Sequence, residues 1–193
     1  MKNVFLFITD GFADWEAAHV SAELNRPGSG YLIKTIAIDK LPKKSMGGLT
    51  VLPDYDVEAA LQRADSPAML VLIGGTSWRE EKNQLAIELV NRYAKEGTPV
   101  AAICDGVTFI ANYGYLDNVR HTGNTVAYLK EGAPQYKGER YFVEAQSVSD
   151  GNFITANGTA CLEFGRDILA RLNVLTDDKL QEWYGFWKDG FYK

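Results

Sequence analysis

The chain has 193 residues, which is enough for a single domain, spanning 1–193, with a sizeable core. Its composition, 46% hydrophobic and 23% charged, is that of an ordinary globular protein. A net charge of -5 without any basic cluster argues against nucleic acid or an anionic membrane as a partner. No apolar stretch is long enough to span a bilayer, and the N-terminal apolar run is too short for a signal peptide. We therefore expect a cytoplasmic protein.

Cysteine and histidine usage argues against a disulfide framework and against a metal centre. The two cysteines lie at 104 and 161 and the two histidines at 19 and 121, without metal-ligand spacing. The sequence also lacks a glycine loop of the P-loop or dinucleotide-binding type. We expect neither a metal nor a cofactor.

The first half of the chain alternates predicted strands with predicted helices. The strands lie at 4–8, 31–38 and 69–73. The helices lie at 14–25, 57–64 and 80–95, the last with Leu85, Leu89 and Tyr93 on one face. Between them, the glycine- and proline-punctuated segment 41–54 predicts a small hairpin or an extended arm.

The second half continues the alternation, beginning with the apolar run 100–103. Helices are predicted at 106–113, 126–130 and 159–172, and strands at 140–147 and 152–156. An aromatic-rich helical tail spans about 176–193. This order of elements predicts an α/β sandwich with a mostly parallel sheet.

Three polar turns follow three different predicted strands, at Asp10, Gly74 and Cys104. The carboxyl ends of parallel strands meet at one edge of a sheet, and ligands bind outside that edge. The architecture therefore predicts that these turns lie close together.

Cys104 stands where a buried strand turns sharply into a helix, with Gly106 two positions later, as in a nucleophile elbow. The free N–H groups and positive dipole end of that helix favour the thiolate, which is the reactive form of cysteine. The alternative is that Cys104 is a small buried hydrophobic residue at a strand end.

Four stretches, at 10–16, 72–75, 101–106 and 155–164, resemble motifs of the ThiJ/PfpI superfamily in the same order. This superfamily includes the Parkinson-disease deglycase and archaeal intracellular proteases, and the resemblance extends over about residues 2–172. It implies a flavodoxin-like three-layer α/β sandwich of the class I glutamine amidotransferase-like type and a homodimer.

The resemblance also implies roles for individual residues. Cys104 would be the nucleophile, and Glu16 would lie beside its sulfur as a protonated carboxyl group that donates a hydrogen bond to the thiolate. Burial would keep that carboxyl protonated, since burial raises a carboxyl pKa. Gly75 and Asp105 would offer backbone N–H groups to an oxyanion, and the Gly74–Gly75 turn would let substrate approach the backbone.

Two departures from the family pattern concern the general base. Asp105 stands where the proteases have a histidine, and Asn124 stands where the deglycase-like members have one. A peptidase mechanism therefore lacks its base. His121, near Asn124, is the better replacement, and His19 shares a helix face with Glu16. The alternative for both histidines is a structural or solvated role.

These observations predict a cysteine-dependent hydrolase or amidase that acts on a small carbonyl or amide substrate. One alternative is a redox-sensing or stress-response protein that uses oxidation of Cys104. Another is a non-catalytic binding or chaperone-like module.

Trp78 is either a pocket wall or a packed tryptophan. The aromatic tail either covers an apolar patch, forms part of a dimer interface or packs against its own domain.

Overall fold

The computed structural model describes residues 1–191. Its strands are Lys2–Phe7 (β1), Tyr31–Ala37 (β2), Lys43–Lys44 (β3), Thr50–Val51 (β4), Tyr55–Asp56 (β5), Met69–Leu72 (β6), Val100–Ile103 (β7), Ser147–Asp150 (β8) and Phe153–Ala156 (β9). Its α-helices are Asp14–Leu24 (α1), Val57–Leu61 (α2), Ile87–Lys95 (α3), Asp105–Asn112 (α4), Val126–Gly132 (α5), Cys161–Arg171 (α6) and Asp177–Asp189 (α7). Short 3-10 helices span Glu81–Ala86 and Glu139–Tyr141.

The central sheet has seven strands in the order β5-β2-β1-β6-β7-β9-β8. All neighbouring pairs are parallel except β8 with β9, which forms an antiparallel edge. The predicted excursion at 41–54 contains the separate antiparallel hairpin of β3 and β4. The prediction of a mostly parallel α/β sheet is confirmed.

Both faces of the sheet are buried, as the continuous apolar strands require. Residues of β6 alternate between the faces, with Leu70 and Leu72 in one core cluster and Met69 and Val71 in the other. The first cluster packs beneath α2, α3, α4 and α5, and the second beneath α1, α6 and α7. Helices therefore cover both faces, which makes the three-layer sandwich.

Two predicted elements need correction. The predicted strand 140–147 is wrong except for its last residue, because the strand β8 begins only at Ser147. Before it, the chain hydrogen-bonds the segment at His121, where the Val143 N–H donates to the His121 carbonyl at 2.8 Å. The predicted helix 80–95 begins as a 3-10 helix, whose tighter winding moves residues off an α-helical stripe. Leu85 is accordingly exposed, whereas Leu89 and Tyr93 are buried.

The aromatic tail packs against its own domain through α7. Leu180 is buried, and the Trp183 indole N–H donates to Glu23 of α1 at 2.9 Å. Phe186 and Trp187 remain largely exposed. The last two residues of the predicted tail lie outside the described residues. Within residues 1–191, no helix is both long and apolar enough to cross a membrane.

Candidate active site

Cys104 is the single residue between β7 and α4, and its backbone is strained. Its φ of 56° and ψ of -124° lie in a region that residues other than glycine rarely adopt. Such a conformation turns the strand into the helix within one residue and presents the side chain at the sheet edge. The predicted sharp turn from strand to helix is therefore present at Cys104.

Two glycines make room for the thiol. A Cβ at Gly74 would lie 2.6 Å from the Cys104 Cβ and 2.6 Å from Glu16 Oε2. A Cβ at Gly158 would lie 2.9 Å from the Cys104 sulfur. All three distances are shorter than a real carbon contact permits, so these positions require glycine. The backbone approaches the Cys104 side chain on two sides, at its Cβ and at its sulfur, which defines a narrow site.

Glu16 extends from α1 into this site and is almost completely buried. Its Oε2 accepts a 2.8 Å hydrogen bond from the Gly74 N–H, and the carboxyl also hydrogen-bonds the Cys104 thiol. The turns at Asp10, Gly74 and Cys104 lie close together, as the argument from strand ends predicted: the Ser77 hydroxyl donates to the Asp10 carbonyl at 2.6 Å, and Gly74 adjoins the Cys104 side chain. Glu16 enters the same site from α1, where the family resemblance implied it.

Burial governs the ionisation of this pair. It raises the pKa of Glu16 to about 7 and, together with the adjacent Glu16, raises the pKa of Cys104 to about 11. The pair therefore loses its protons in two steps, and between them it shares one proton. The expectation of a lowered thiol pKa is corrected, because burial outweighs the helix end and the donors around the sulfur.

Asn124 contacts the sulfur from the other side. Its Nδ2 lies 3.6 Å from Cys104 Sγ, and its Oδ1 accepts the Gly158 N–H at 2.9 Å. The Gly158 bond fixes the amide so that its NH₂ group faces the sulfur. Asn124 therefore occupies a position where it can donate a hydrogen bond but cannot act as a base.

Asp105 contributes its backbone to the sulfur and its side chain to a different neighbour. Its N–H hydrogen-bonds Cys104 Sγ, whereas its buried carboxylate lies 3.5 Å from Arg79. The Arg79 guanidinium also stacks over the Tyr128 ring at 5.1 Å. Burial, Asp105 and Cys104 all raise the pKa of Tyr128, which places its phenol at the same site.

Sequence reasoning did not select Arg79 or Tyr128. Arg79 follows Trp78 in the turn after Gly74–Gly75, and Tyr128 lies one helical turn beyond Asn124. A signal was present in both cases, since each is a polar side chain close in sequence to a predicted site residue. The packing of α5 on α4 brings Tyr128 to this place, and the turn after β6 brings Arg79 there.

The histidines are corrected to structural roles. His121 is fully buried, and both ring nitrogens are occupied, Nδ1 by the Val119 carbonyl at 2.8 Å and Nε2 by the Tyr136 hydroxyl at 2.7 Å. The carbonyl can only accept, so Nδ1 carries the proton and Nε2 accepts from Tyr136. His19 packs edge-on against Trp183 and Trp187 of α7. Neither ring is available as a base for Cys104.

The remaining predicted residues, Gly75 and Trp78, have different surroundings. Gly75 forms an isolated bridge with Phe12 in which its own N–H makes no bond among the described residues. That N–H remains available to a bound group. Trp78 is a core residue: its ring stacks on Phe7 and Phe109, and its indole N–H donates to a backbone carbonyl.

Space for a small molecule lies beside Asn124, although Cys104 itself does not line it. A cavity of about 600 Å³ is lined by Asn124 and Asn157, the neighbours of the thiol and of Gly158, and by apolar side chains such as Phe142. Among residues 1–191, no group of three or more histidine, cysteine or acidic side chains is arranged to hold a metal ion.

The fold and the site together define an α/β protein with a cysteine in a strained turn at the edge of a mostly parallel sheet. A model of the DJ-1/PfpI family matches residues 2–171. The chain belongs to this family, which confirms the resemblance seen in its motifs.

Relatives in the family carry different functional names. YdeA of Bacillus subtilis, named an uncharacterized protease, is 36% identical over 192 residues, covering 100% of this chain and 94% of that protein. A deglycase of Pyrococcus abyssi is 28% identical over 154 residues, covering 79% of this chain and 88% of the relative. The crystal structure of a ThiJ/PfpI family protein from Bacillus anthracis matches with a TM-score of 0.91 and 37% identity, covering 97% of this chain and 91% of the other.

Proposed function

We propose that the protein is a cysteine-dependent hydrolase or amidase that acts on a small carbonyl or amide substrate. The observation that carries this proposal is the strained Cys104 turn with the Glu16 carboxyl hydrogen-bonded to its thiol. Strained backbone persists where the surrounding structure maintains it and is concentrated at functional sites. The hydrolase- and deglycase-type names of relatives are compatible with this chemistry.

In the proposed reaction, Glu16 supplies the base that the histidines do not. Its carboxylate accepts the thiol proton as Cys104 Sγ attacks the carbonyl carbon, so the shared proton of the pair becomes the transferred proton. The Gly75 and Asp105 N–H groups stabilise the oxyanion. With an amide, the C–N bond breaks, the nitrogen takes the proton and water later hydrolyses the thioester.

The test is turnover of small amides, esters and 2-oxoaldehydes, measured as release of amine, alcohol or hydroxy acid. Cys104→Ser is expected to abolish turnover of any accepted substrate, whereas Cys161→Ser is expected to retain it. Full activity of Cys104→Ser would overturn the proposal, as would the absence of turnover throughout the panel.

A second candidate function is redox sensing through Cys104. It is favoured by the donors around the sulfur, the Asn124 amide and the Asp105 N–H, which would stabilise sulfinate oxygens. After mild peroxide, peptide mass spectrometry is expected to find sulfinate retained at Cys104 and not at Cys161, because these donors surround the Cys104 sulfur. Equal oxidation of the two thiols would contradict this function.

A further inference from the structure

The residue directly after the candidate nucleophile is a buried acid. Asp105 is 5% exposed, and its backbone N–H faces the Cys104 sulfur. Besides burial and Glu16, the charge of Asp105 raises the pKa of Cys104, because a nearby carboxylate opposes a thiolate. Water screens a buried charge only weakly. An aspartate at this position therefore works against the nucleophile unless another group compensates its charge.

Arg79 supplies the compensating charge. Its guanidinium lies 3.5 Å from Asp105 Oδ1, and the Asp105 side chain is almost completely buried. Glu131, the other acidic neighbour of the guanidinium, is 3.7 Å away and largely exposed, and exposed ion pairs are weak because water and salt screen them. The charge of Arg79 therefore acts mainly on Asp105.

Two residues of α5 hold the guanidinium in this place. The Tyr128 ring stacks with it at 5.1 Å, and the Tyr128 phenol also interacts with the Asp105 carboxylate. At Gly132 an added Cβ would lie 2.7 Å from Arg79 Nη2 and 2.6 Å from Thr108 Cγ2. Glycine costs a helix some stability relative to alanine, and at this position it leaves room for the guanidinium.

We propose that Arg79 and Tyr128 are positioning residues that act through Asp105: they hold its carboxylate away from Cys104 and compensate its charge, so that the thiol can ionise. Without Arg79, rotation about the Asp105 side-chain bonds brings the carboxylate toward the sulfur. There it opposes the thiolate and the oxyanion that forms beside the Asp105 N–H. This inference rests on the proposed function, in which Cys104 is the nucleophile. The charged and titratable groups around this carboxylate and this thiol are Glu16 of α1, Arg79 of the turn after β6, and Tyr128 and Glu131 of α5.

The experiment measures the rate at which iodoacetamide alkylates Cys104 in the full chain, between pH 6 and pH 10, by peptide mass spectrometry. Arg79→Gln is expected to slow alkylation at pH 8 by about fivefold, because the uncompensated carboxylate raises the thiol pKa. Arg79→Lys keeps the charge and is expected to stay within about twofold of wild type. Alkylation of Arg79→Lys as slow as that of Arg79→Gln would overturn the proposal, as would an unchanged rate in Arg79→Gln.

Arg166→Gln is the matched control. Arg166 of α6 also lies beside an aspartate, Asp167 at 2.9 Å, and over a tyrosine ring, Tyr184 at 4.9 Å. The change therefore removes the same kind of ion pair and stacking away from Asp105. Alkylation of Cys104 is expected to stay within about twofold of wild type. The same slowing as in Arg79→Gln would overturn the proposal, because the effect would then not depend on Asp105.

The decisive comparison repeats Arg79→Gln in an Asp105→Asn background. Asp105→Asn alone is expected to speed alkylation about threefold, because it removes the carboxylate. In that background Arg79→Gln is expected to change the rate by less than about twofold, since no charge remains to be held. Equal slowing in both backgrounds would overturn the proposal, because Arg79 would then act on the sulfur directly or through the fold.

A further variant decides if Asp105→Asn does not fold. Gly132→Ala displaces the guanidinium without removing its charge and is expected to slow alkylation about threefold. An unchanged rate in Gly132→Ala would overturn the proposal.

The alkylation readout separates this inference from the proposed function, because it needs no substrate. Turnover that depends on Cys104, together with alkylation that is indifferent to Arg79, contradicts the positioning role alone. Alkylation that follows Arg79 as expected, without turnover of any substrate, contradicts the proposed enzyme and leaves the positioning role in place.

Discussion

The β7–Cys104–α4 and β9–Cys161–α6 units invite comparison, because each carries a cysteine at the start of a helix beside the same sheet edge. The two strands are adjacent and parallel, with Ile103 opposite Ala156. Both thiols are half-buried, and burial raises the pKa of both. A helix N-terminus and partial burial therefore do not by themselves distinguish a candidate nucleophile.

The difference lies in the backbone and in the nearby carboxyl groups. One residue connects β7 to α4, whereas residues 157–160 connect β9 to α6. Of the two cysteines, Cys104 has a positive φ and Cys161 does not. Glu16 hydrogen-bonds the Cys104 thiol and has a raised pKa. Near Cys161, burial acts to raise the pKa of Glu163, but hydrogen bonds from Lys188 and Tyr184 outweigh it and hold that pKa below its usual range. Only the first carboxyl is free to exchange a proton with a thiol.

The largest effect is expected from Glu16→Gln, which should lower turnover while it makes the Cys104 thiol more acidic. Without a carboxylate to accept the proton, turnover is expected to fall by about a thousandfold, within the range of lost general base catalysis. The same change removes a negative charge that raises the pKa of Cys104, so alkylation at pH 8 should become about tenfold faster.

Glu163→Gln is the matched control for that experiment. It removes the carboxyl near the other cysteine and is expected to leave turnover and Cys104 alkylation within about twofold of wild type. Slower alkylation of Cys104 in Glu16→Gln would show that the carboxyl promotes the thiolate in the resting protein, contrary to the electrostatics described above.

The apolar runs were sufficient to predict the sheet, the sharp turn at Cys104 and the approach of the turns at Gly74 and Cys104, because strand ends follow from apolar runs. The position of Glu16 beside the thiol followed from the family resemblance instead. The sequence was not sufficient for the ionisation of Cys104, since the burial of the thiol depends on α1 and on Gly158 packing around it. His121 is only three residues from Asn124, yet its ring enters the core because the chain there pairs with Phe142. Tyr128 reaches Asp105 through the packing of α5 on α4, and Arg79 reaches it from the turn after β6; no local pattern specifies either contact.

Glu16 also makes stability depend on pH. Its pKa is about 7 in the folded protein and 4.5 in an unfolded chain, so the folded state binds more protons between these values. The free energy of unfolding is therefore expected to fall by about 3 kcal/mol, through this group, as the pH rises from 4.5 to 7. Denaturant unfolding of wild type and Glu16→Gln at several pH values measures the difference. Parallel pH profiles for the two proteins would contradict a buried, protonated Glu16.

A smaller effect is expected from Gly158→Ala, which tests the steric boundary between the two units. Gly158 belongs to the Cys161 turn, but its added Cβ would lie 2.9 Å from Cys104 Sγ. We expect a loss of about 2 kcal/mol in unfolding free energy, typical of overpacking, and a smaller loss in a Cys104→Ala background. Equal costs of Gly158→Ala in the wild-type and Cys104→Ala backgrounds would place the strain elsewhere than at the sulfur.

Gly185→Ala is the control for adding a methyl group where there is space. It lies in exposed α7, the nearest atom is 4.0 Å away, and the change should stabilise the protein by about 0.5–1 kcal/mol.

The smallest expected effect is that of Asn124→Ala. Its hydrogen bond lowers the pKa of Cys104, opposing the burial that raises it. Removing the amide therefore raises the thiol pKa further, and alkylation of Cys104 at pH 8 is expected to slow about fivefold, the scale of one hydrogen bond. Cys161, read in the same peptide digest, should keep its rate, since Asn124 does not contribute to its pKa. An equal slowing of both cysteines would mean that Asn124 acts on the fold of the sheet edge and not on the sulfur.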